Sequence, residues 1–196
     1  MIQYSEDKYK PDLKNLWKLC FPEDTDRFID FYYDKIYKDD ETLVCFKDDQ
    51  LVAALQIIPY FIKAGRNLRM AGYLSGIMTH PNYRKQGFMN KLLQVTFEQM
   101  AEKYYDYAFL IPQEKGLVEM YAKYGFRLCE PNPNPPVNIV LKNQTQWSHI
   151  QQLLFDEKRV WLEEEPFFPN EHKGMIKRLN FAAEEITTLY MGMMMD

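Results

Sequence analysis

Three observations predict an α/β fold of about seven strands and four helices. Segments of helical and strand character alternate over the first 142 residues in the order β-α-α-β-β-β-α-β-α-β-β. One of them, "YAFLIP" at 107–112, is short and almost wholly apolar, which suits a parallel strand buried on both faces. A long strand candidate ends at Pro81, where a basic turn leads straight into an amphipathic helix, so two strand–helix–strand units meet there.

In chain order, "IQYS" alternates weakly and predicts a first strand. "PDLKNLWKLCF" places Leu13, Leu16, Trp17 and Cys20 at helical spacing, with Pro11 in the first turn. "DTDRFIDFYYDKIY" offers Asp24 or Thr25 as a cap and sets Phe28, Ile29, Tyr32 and Ile36 on one face. "TLVCF", the turn "KDDQ" and "LVAALQIIPYFIK" predict a hairpin. "LRMAGYLSGIMTH" is the long strand stopped by Pro81. From Phe88 a helix carries Met89, Leu92, Leu93, Thr96, Phe97, Met100 and Tyr104 at three- and four-residue steps. "EKGLVEMYAKYGF" is a short helix stopped by Gly125. "FRLCE" and "PVNIVLK" are strands separated by the loop "PNPNPP". Beyond Lys142, "HIQQLLFDEKRVWL" has a helical pattern, while "KGMIKRLN" and "TLYMGMMMD" fit either strands or packed irregular pieces. The expected division is a core over 1–142 and a C-terminal extension over 143–196 packed on it.

Composition excludes several function classes. An apolar share of 46% with 27% charged residues belongs to a folded globule. A net charge of −4 argues against nucleic acid as a partner, because neutralising phosphates needs a basic face. Cys20, Cys45 and Cys129 are odd in number and widely spaced, and His80, His149 and His172 are scattered, so neither a disulfide framework nor a metal site is expected. The segment "MIQYSEDKYK" lacks the apolar stretch of a signal peptide, and no apolar run approaches ~20 residues. The expectation is a cytoplasmic protein without membrane association.

The chemistry concentrates in "HPNYRKQGFMNKLL", residues 80–93. The first four N–H groups of a helix have no partner within it, and the helix dipole favours an anion there. Gly87 permits close backbone approach, and Arg84 and Lys85 add positive charge. Taken alone, R-x-x-G fits a solvated surface loop as well as an anion site.

In its context the stretch resembles the acetyl-CoA loop of the GCN5-related N-acetyltransferase (GNAT) superfamily, Q/R-x-x-G-x-G/A. Arg84 stands at the first position and Gly87 at the fourth. Met89 stands at the sixth, where Gly or Ala is usual. "YAKYGF" matches the Y-x-x-x-G-F end of the family's following helix. The resemblance covers residues 1–142. It implies a central mixed, twisted sheet with helices on both faces, splayed between the fourth and fifth strands. It further implies that Ile77, Met78 and Thr79 pair with the pantetheine arm of acetyl-CoA, the cosubstrate. Amides from Lys85 through Gln86, Gly87 and Phe88 to Met89 would hold the pyrophosphate beside Arg84, and Tyr121 would protonate the departing thiolate.

Chemical requirements agree with these roles. Acetyl transfer from a thioester needs a neutral amine, a donor for the carbonyl oxygen such as the N–H near Met78, and a proton for sulfur. Tyrosine, with an ordinary pKa near ~10, keeps its proton at neutral pH. Leu117, Tyr121 and Tyr124 also share a helix face, so plain packing is the competing reading of Tyr121. No general base is evident. Glu114 and His80 read as well as surface and loop residues. A water chain or the terminal carboxylate of Asp196 would serve otherwise.

Phe28, Phe31, Tyr32, Tyr33 and Tyr37 either wall an acceptor cleft or simply pack. The Met-rich tail fits a lid or a homodimer contact. The expected activity is acetyl transfer from acetyl-CoA to the primary amine of a small molecule or peptide, by direct attack in a ternary complex. The alternative is a degenerate acyl-CoA-binding sensor or scaffold. Aminoacyl-tRNA-dependent transfer, a third option, is disfavoured by the absence of a basic face.

Overall fold

The computed structural model describes residues 1–64, 67–129, 137–141 and 174–186. The loop at 131–136, the helix expected at 149–162 and the tail ending in Asp196 lie outside them. The chain divides into two compact units, Met1–Ile58 with Leu74–Lys103, and Pro59–Tyr73 with Tyr104 onward.

In the first unit, β1 (Ile2–Tyr4) runs antiparallel to β2 (Thr42–Lys47), which runs antiparallel to β3 (Gln50–Ala64). β4 (Asn67–Thr79) follows β3 in strand order. Asp48 and Asp49, both at positive φ, form the two-residue turn between β2 and β3, as a tight hairpin needs. α1 (Lys10–Cys20) has Pro11 in its first turn, and α2 (Asp26–Lys35) is capped by Thr25, whose Oγ1 accepts from the N–H of Phe28 at 3.2 Å. α3 (Phe88–Glu102) buries Leu92, Leu93, Thr96 and Met100. Leu13 and Ile29, placed on apolar faces by their spacing, are buried with Val44, Val52 and Leu55 in the apolar interior. The Tyr4 hydroxyl donates to Gln99 Oε1 at 3.1 Å and fastens β1 to α3.

The second unit is organised by β5 (Tyr107–Leu110), the apolar run expected to be a buried parallel strand. It pairs in parallel with β4 over Ala71–Tyr73 against Tyr107–Phe109. The ladder covers these three pairs, and β4 runs on to Thr79. α4 (Lys115–Ala122) precedes β6 (Arg127–Leu128), and β7 (Val137–Leu141) lies antiparallel to β3 at Tyr60–Ala64. The ambiguous "KGMIKRLN" supplies an eighth strand, β8 (Met175–Arg178), antiparallel to both β5 and β6. The rings of Tyr60, Tyr73 and Phe109 pack at centroid distances of 5.3–6.3 Å in this interior.

Polar anchors hold the segment after β8 in place. Glu184 accepts from Asn67 Nδ2 at 2.7 Å and Arg69 Nε at 3.0 Å, and the Tyr107 hydroxyl donates to its backbone carbonyl at 2.7 Å. Hydrogen bonding to Arg69 holds the Glu184 carboxyl down at about 2. Among the described residues no helix is long and apolar enough to cross a membrane.

Candidate active site

Gly76 governs the end of β4. Its φ of +55° falls inside a strand, a conformation that L-residues avoid. A Cβ there would also lie 2.9 Å from the Trp17 ring. In a regular strand, residues 75 and 78 would point to opposite faces. The twist at Gly76 breaks that alternation, and Ser75 and Met78 line one cleft.

Trp17, Tyr32, Tyr33 and Tyr37 from the helical segments form the cleft's aromatic wall, with Gln56 from β3 beside them. The Trp17 and Tyr32 rings meet at 4.5 Å. Among the described residues, Phe28 and Phe31, grouped with these aromatics in the sequence, do not line it, and neither does any carboxylate. Gly76→Ala is expected to cost about 2–4 kcal/mol through left-handed strain and ring displacement. That lowers Tm by roughly 5–15 °C in thermal denaturation, whereas an unchanged Tm would mean that neither constraint operates.

Beyond Gly76, Met78 is buried and Ile77 and Thr79 are half-buried. Thr79 Oγ1 is buried and has no hydrogen-bond partner among the described residues. The N–H of His80 donates to the Val52 carbonyl at 2.8 Å, after which Pro81 has no donor and the chain leaves the sheet. His80 Nδ1 accepts from the Asn82 N–H at 3.2 Å, so this histidine caps the short 3-10 turn Pro81–Tyr83.

Arg84 is extended and donates from Nε to the Thr79 carbonyl at 3.2 Å. Lys85 and Gly87 then both take positive φ, +61° and +83°, and α3 begins. The turn is braced by Tyr83, whose ring meets Phe88 at 6.0 Å and whose hydroxyl donates to Gln50 Oε1 at 2.8 Å. Lys47 Nζ lies 5.2 Å from the Tyr83 ring centroid.

Across the turn, the backbone N–H groups from Lys85 to Asn90 donate to no acceptor among the described residues. A Cβ built at Gly87 meets nothing within 4 Å, so conformation rather than crowding calls for glycine and space lies open in front of it. Gln86 is exposed, its Nε2 donating to the Asn82 carbonyl at 3.0 Å. Met89 sits half-buried in the first turn of α3. Open amides, a helix N-terminus, two exposed cations and the orphaned Thr79 hydroxyl suit a phosphate-bearing ligand with a hydrogen-bonding arm.

Tyr121 belongs to the second unit. It is buried on α4, with its ring 5.9 Å from that of Phe126. Burial, with a smaller contribution from Tyr124, pushes its pKa up to about 12. Its hydroxyl has no hydrogen-bond partner among the described residues. The Tyr121 carbonyl accepts from Tyr124 N at 2.9 Å and Phe126 N at 3.3 Å, closing the helix at Gly125, which has φ +85°. Lys177 Nζ, from β8, donates to the Tyr124 carbonyl at 2.6 Å and clamps the same end. Glu114 is exposed at the start of α4.

Sequence reasoning missed Gly76, Ser75, Gln56 and Trp17. A lone Gly inside a strand pattern was the available signal for the first of them.

A mixed sheet with one parallel pair, β4 and β5, and an amide-rich turn after its fourth strand is the architecture that the resemblance implies. The chain belongs to the GNAT family: the Acetyltransferase (GNAT) domain matches residues 1–129. Solved structures share the fold. A GNAT N-acetyltransferase (YhbS) from Escherichia coli, in complex with CoA, aligns at TM-score 0.63 and 15% identity, over 96% of this chain and 87% of that one. A GCN5-related N-acetyltransferase from Anabaena variabilis aligns at TM-score 0.59 and 19% identity, over 66% of this chain and 32% of that one. N-acetylglutamate synthase from Neisseria gonorrhoeae, complexed with coenzyme A and N-acetyl-glutamate, aligns at TM-score 0.59 and 13% identity, over 92% of this chain and 35% of that one. This chain therefore spans about a third of the Anabaena and Neisseria proteins. No curated protein matches it.

Proposed function

We propose that the protein is an N-acetyltransferase that moves acetyl from acetyl-CoA to the primary amine of a small molecule or peptide, by direct attack in a ternary complex. The observation that carries this reading is the row of unpartnered amides from Lys85 to Asn90 opening in front of Gly87. Acetyl-CoA supplies the activated thioester.

The chain's own residues bind and orient. The turn amides, with Arg84 and Lys85, hold the pyrophosphate. Ile77, Met78 and Thr79 offer strand edge and the free Thr79 hydroxyl to the pantetheine arm. A backbone N–H near Met78 stabilises negative charge on the carbonyl oxygen. Tyr121 keeps its proton at neutral pH and delivers it to sulfur.

Acetyl-CoA at about a hundred times its Kd is expected to add roughly 2.7 kcal/mol of stability, which raises Tm by about 5–10 °C. No shift at millimolar acetyl-CoA would overturn the proposal. The second reading, a sensor or scaffold that binds acyl-CoA without turnover, draws support from the absence of a carboxylate among the described residues that line the aromatic cleft. Turnover of acetyl-CoA with a panel of primary amines separates the two: stabilisation without turnover across the panel selects the sensor.

A further inference from the structure

α4 has 8 residues, and Tyr121 is the one among them that is buried. An isolated helix shorter than about 12 residues is marginal in water. With so little apolar surface buried, the placement of α4 depends on what grips its ends. At the C-terminal end, the Tyr121 carbonyl is taken by the N–H groups of Tyr124 and Phe126, and the Ala122 carbonyl by the N–H of Gly125 at 3.0 Å. The Tyr124 carbonyl, one turn beyond Tyr121, accepts from Lys177 Nζ at 2.6 Å. A cation suits that place, because the carbonyls that end a helix carry partial negative charge.

The lysine stands on a fixed support. β8 pairs with β5, setting Lys177 opposite Ala108, and pairs with β6 through Met175 and Ile176. β5 is buried throughout. Lys177, itself half-buried, therefore ties the end of a weakly packed helix to a buried sheet. Gly125 makes room for the contact, since a Cβ there would lie 2.9 Å from Lys177 Nζ. The lysine lies beyond the residues matched by the GNAT domain, so the clamp is supplied from outside that match.

Resting on the reading of Tyr121 as the acid, we infer that Lys177 is a positioning residue: by holding the Tyr124 carbonyl it fixes the end of α4, and with it the hydroxyl that gives its proton to the departing sulfur. Its effect on turnover runs through Tyr121.

The test uses the full chain, with acetyl-CoA at saturation and hydroxylamine as a small acceptor. Lys177→Met keeps an unbranched stem and removes the donor. It is expected to lower kcat about tenfold, with coenzyme A affinity, measured by calorimetry, unchanged. Without any ligand, amide exchange at Tyr124, Gly125 and Phe126 is expected to quicken about tenfold, while exchange at Leu92 and Leu93 of α3 stays the same. In a Tyr121→Phe background, Lys177→Met is expected to cost less than about twofold more, because the group it positions is already gone. Lys177→Gln, whose stem is too short to reach the carbonyl, is expected to behave as Lys177→Met does and replaces it should that variant not fold.

Unchanged kcat or unchanged exchange in Lys177→Met would overturn the inference. So would a loss of the same size in the Tyr121→Phe background, which would make Lys177 independent of the acid, or a matching loss of coenzyme A affinity. Failure of both Lys177 variants to fold would assign the contact to folding and overturn it too. Full turnover in Tyr121→Phe, or no turnover in the wild type, would remove the acetyl-transfer roles and the inference together. Normal turnover in Lys177→Met beside an impaired Tyr121→Phe removes the inference alone.

Discussion

Gly87→Asp is expected to raise the dissociation constant for coenzyme A at least a hundredfold while leaving the protein folded. Two effects act together. The glycine sits at φ +83° immediately before α3, and Asp is among the residues that tolerate a left-handed conformation, so the backbone cost is about 1–2 kcal/mol at most. The same position is the N-cap, where an Asp side chain accepts from the free amides of the first helical turn and returns about 1 kcal/mol. Stability therefore changes little. Binding changes a great deal, because the new carboxylate takes up the amides proposed to hold the pyrophosphate and sets a like charge in their place. Charge-assisted hydrogen bonds are worth about 1.5–3 kcal/mol each, so losing two of them accounts for a hundredfold or more.

Gly87→Ala separates the contributions. It strains the same φ but adds no charge and takes no amide, and a Cβ there meets nothing within 4 Å. Its expected loss is less than tenfold. Calorimetric titration with coenzyme A distinguishes the two variants. An unchanged affinity in Gly87→Asp would show that the turn does not hold the pyrophosphate.

That turn was legible because its information is local. Pro81 ends a ladder, Gly87 supplies a positive φ, and the apolar spacing from Leu92 to Met100 announces a helix whose first amides must be free. The same holds for the Asp48–Asp49 hairpin, the Thr25 cap and the buried strand Tyr107–Leu110. The aromatic cleft was not legible, because it is made by contacts distant in the chain. Tyr32 meets Ser75 across 43 residues, and Trp17 from α1 closes on Gly76 of β4. No spacing rule connects such positions. β8 was ambiguous for a different reason. Met175 and Ile176 are both buried, so the segment lacks the alternation that marks a half-exposed strand. Its partner β5 is wholly buried in turn. Of the aromatics on α2, Tyr32 and Tyr33 line the cleft, and Phe28 and Phe31 do not.

Tyr121→Phe is expected to lower kcat by about 100- to 10,000-fold, the usual contribution of a positioned acid, with coenzyme A affinity and Tm nearly unchanged. The ring keeps its contact with Phe126, and the hydroxyl has no hydrogen-bond partner among the described residues whose loss would cost stability. A purely packed tyrosine would show the same unchanged Tm but no kinetic defect, so kcat decides. With its pKa pushed up to about 12, the hydroxyl stays protonated throughout the working range. The wild-type rate should therefore rise with pH as the acceptor amine loses its proton, without a falling limb below about pH 11 from loss of this acid.

The variant should show the same rise at a lower level. Leaving-group chemistry supplies the sharper readout. A thioester whose thiol is more acidic than that of coenzyme A needs less help to depart, so its turnover should fall far less in Tyr121→Phe than turnover of acetyl-CoA does. A uniform loss across both thioesters would instead mean that the substitution displaces α4. Unchanged turnover of acetyl-CoA would return Tyr121 to the apolar interior and leave the leaving sulfur to be protonated by solvent.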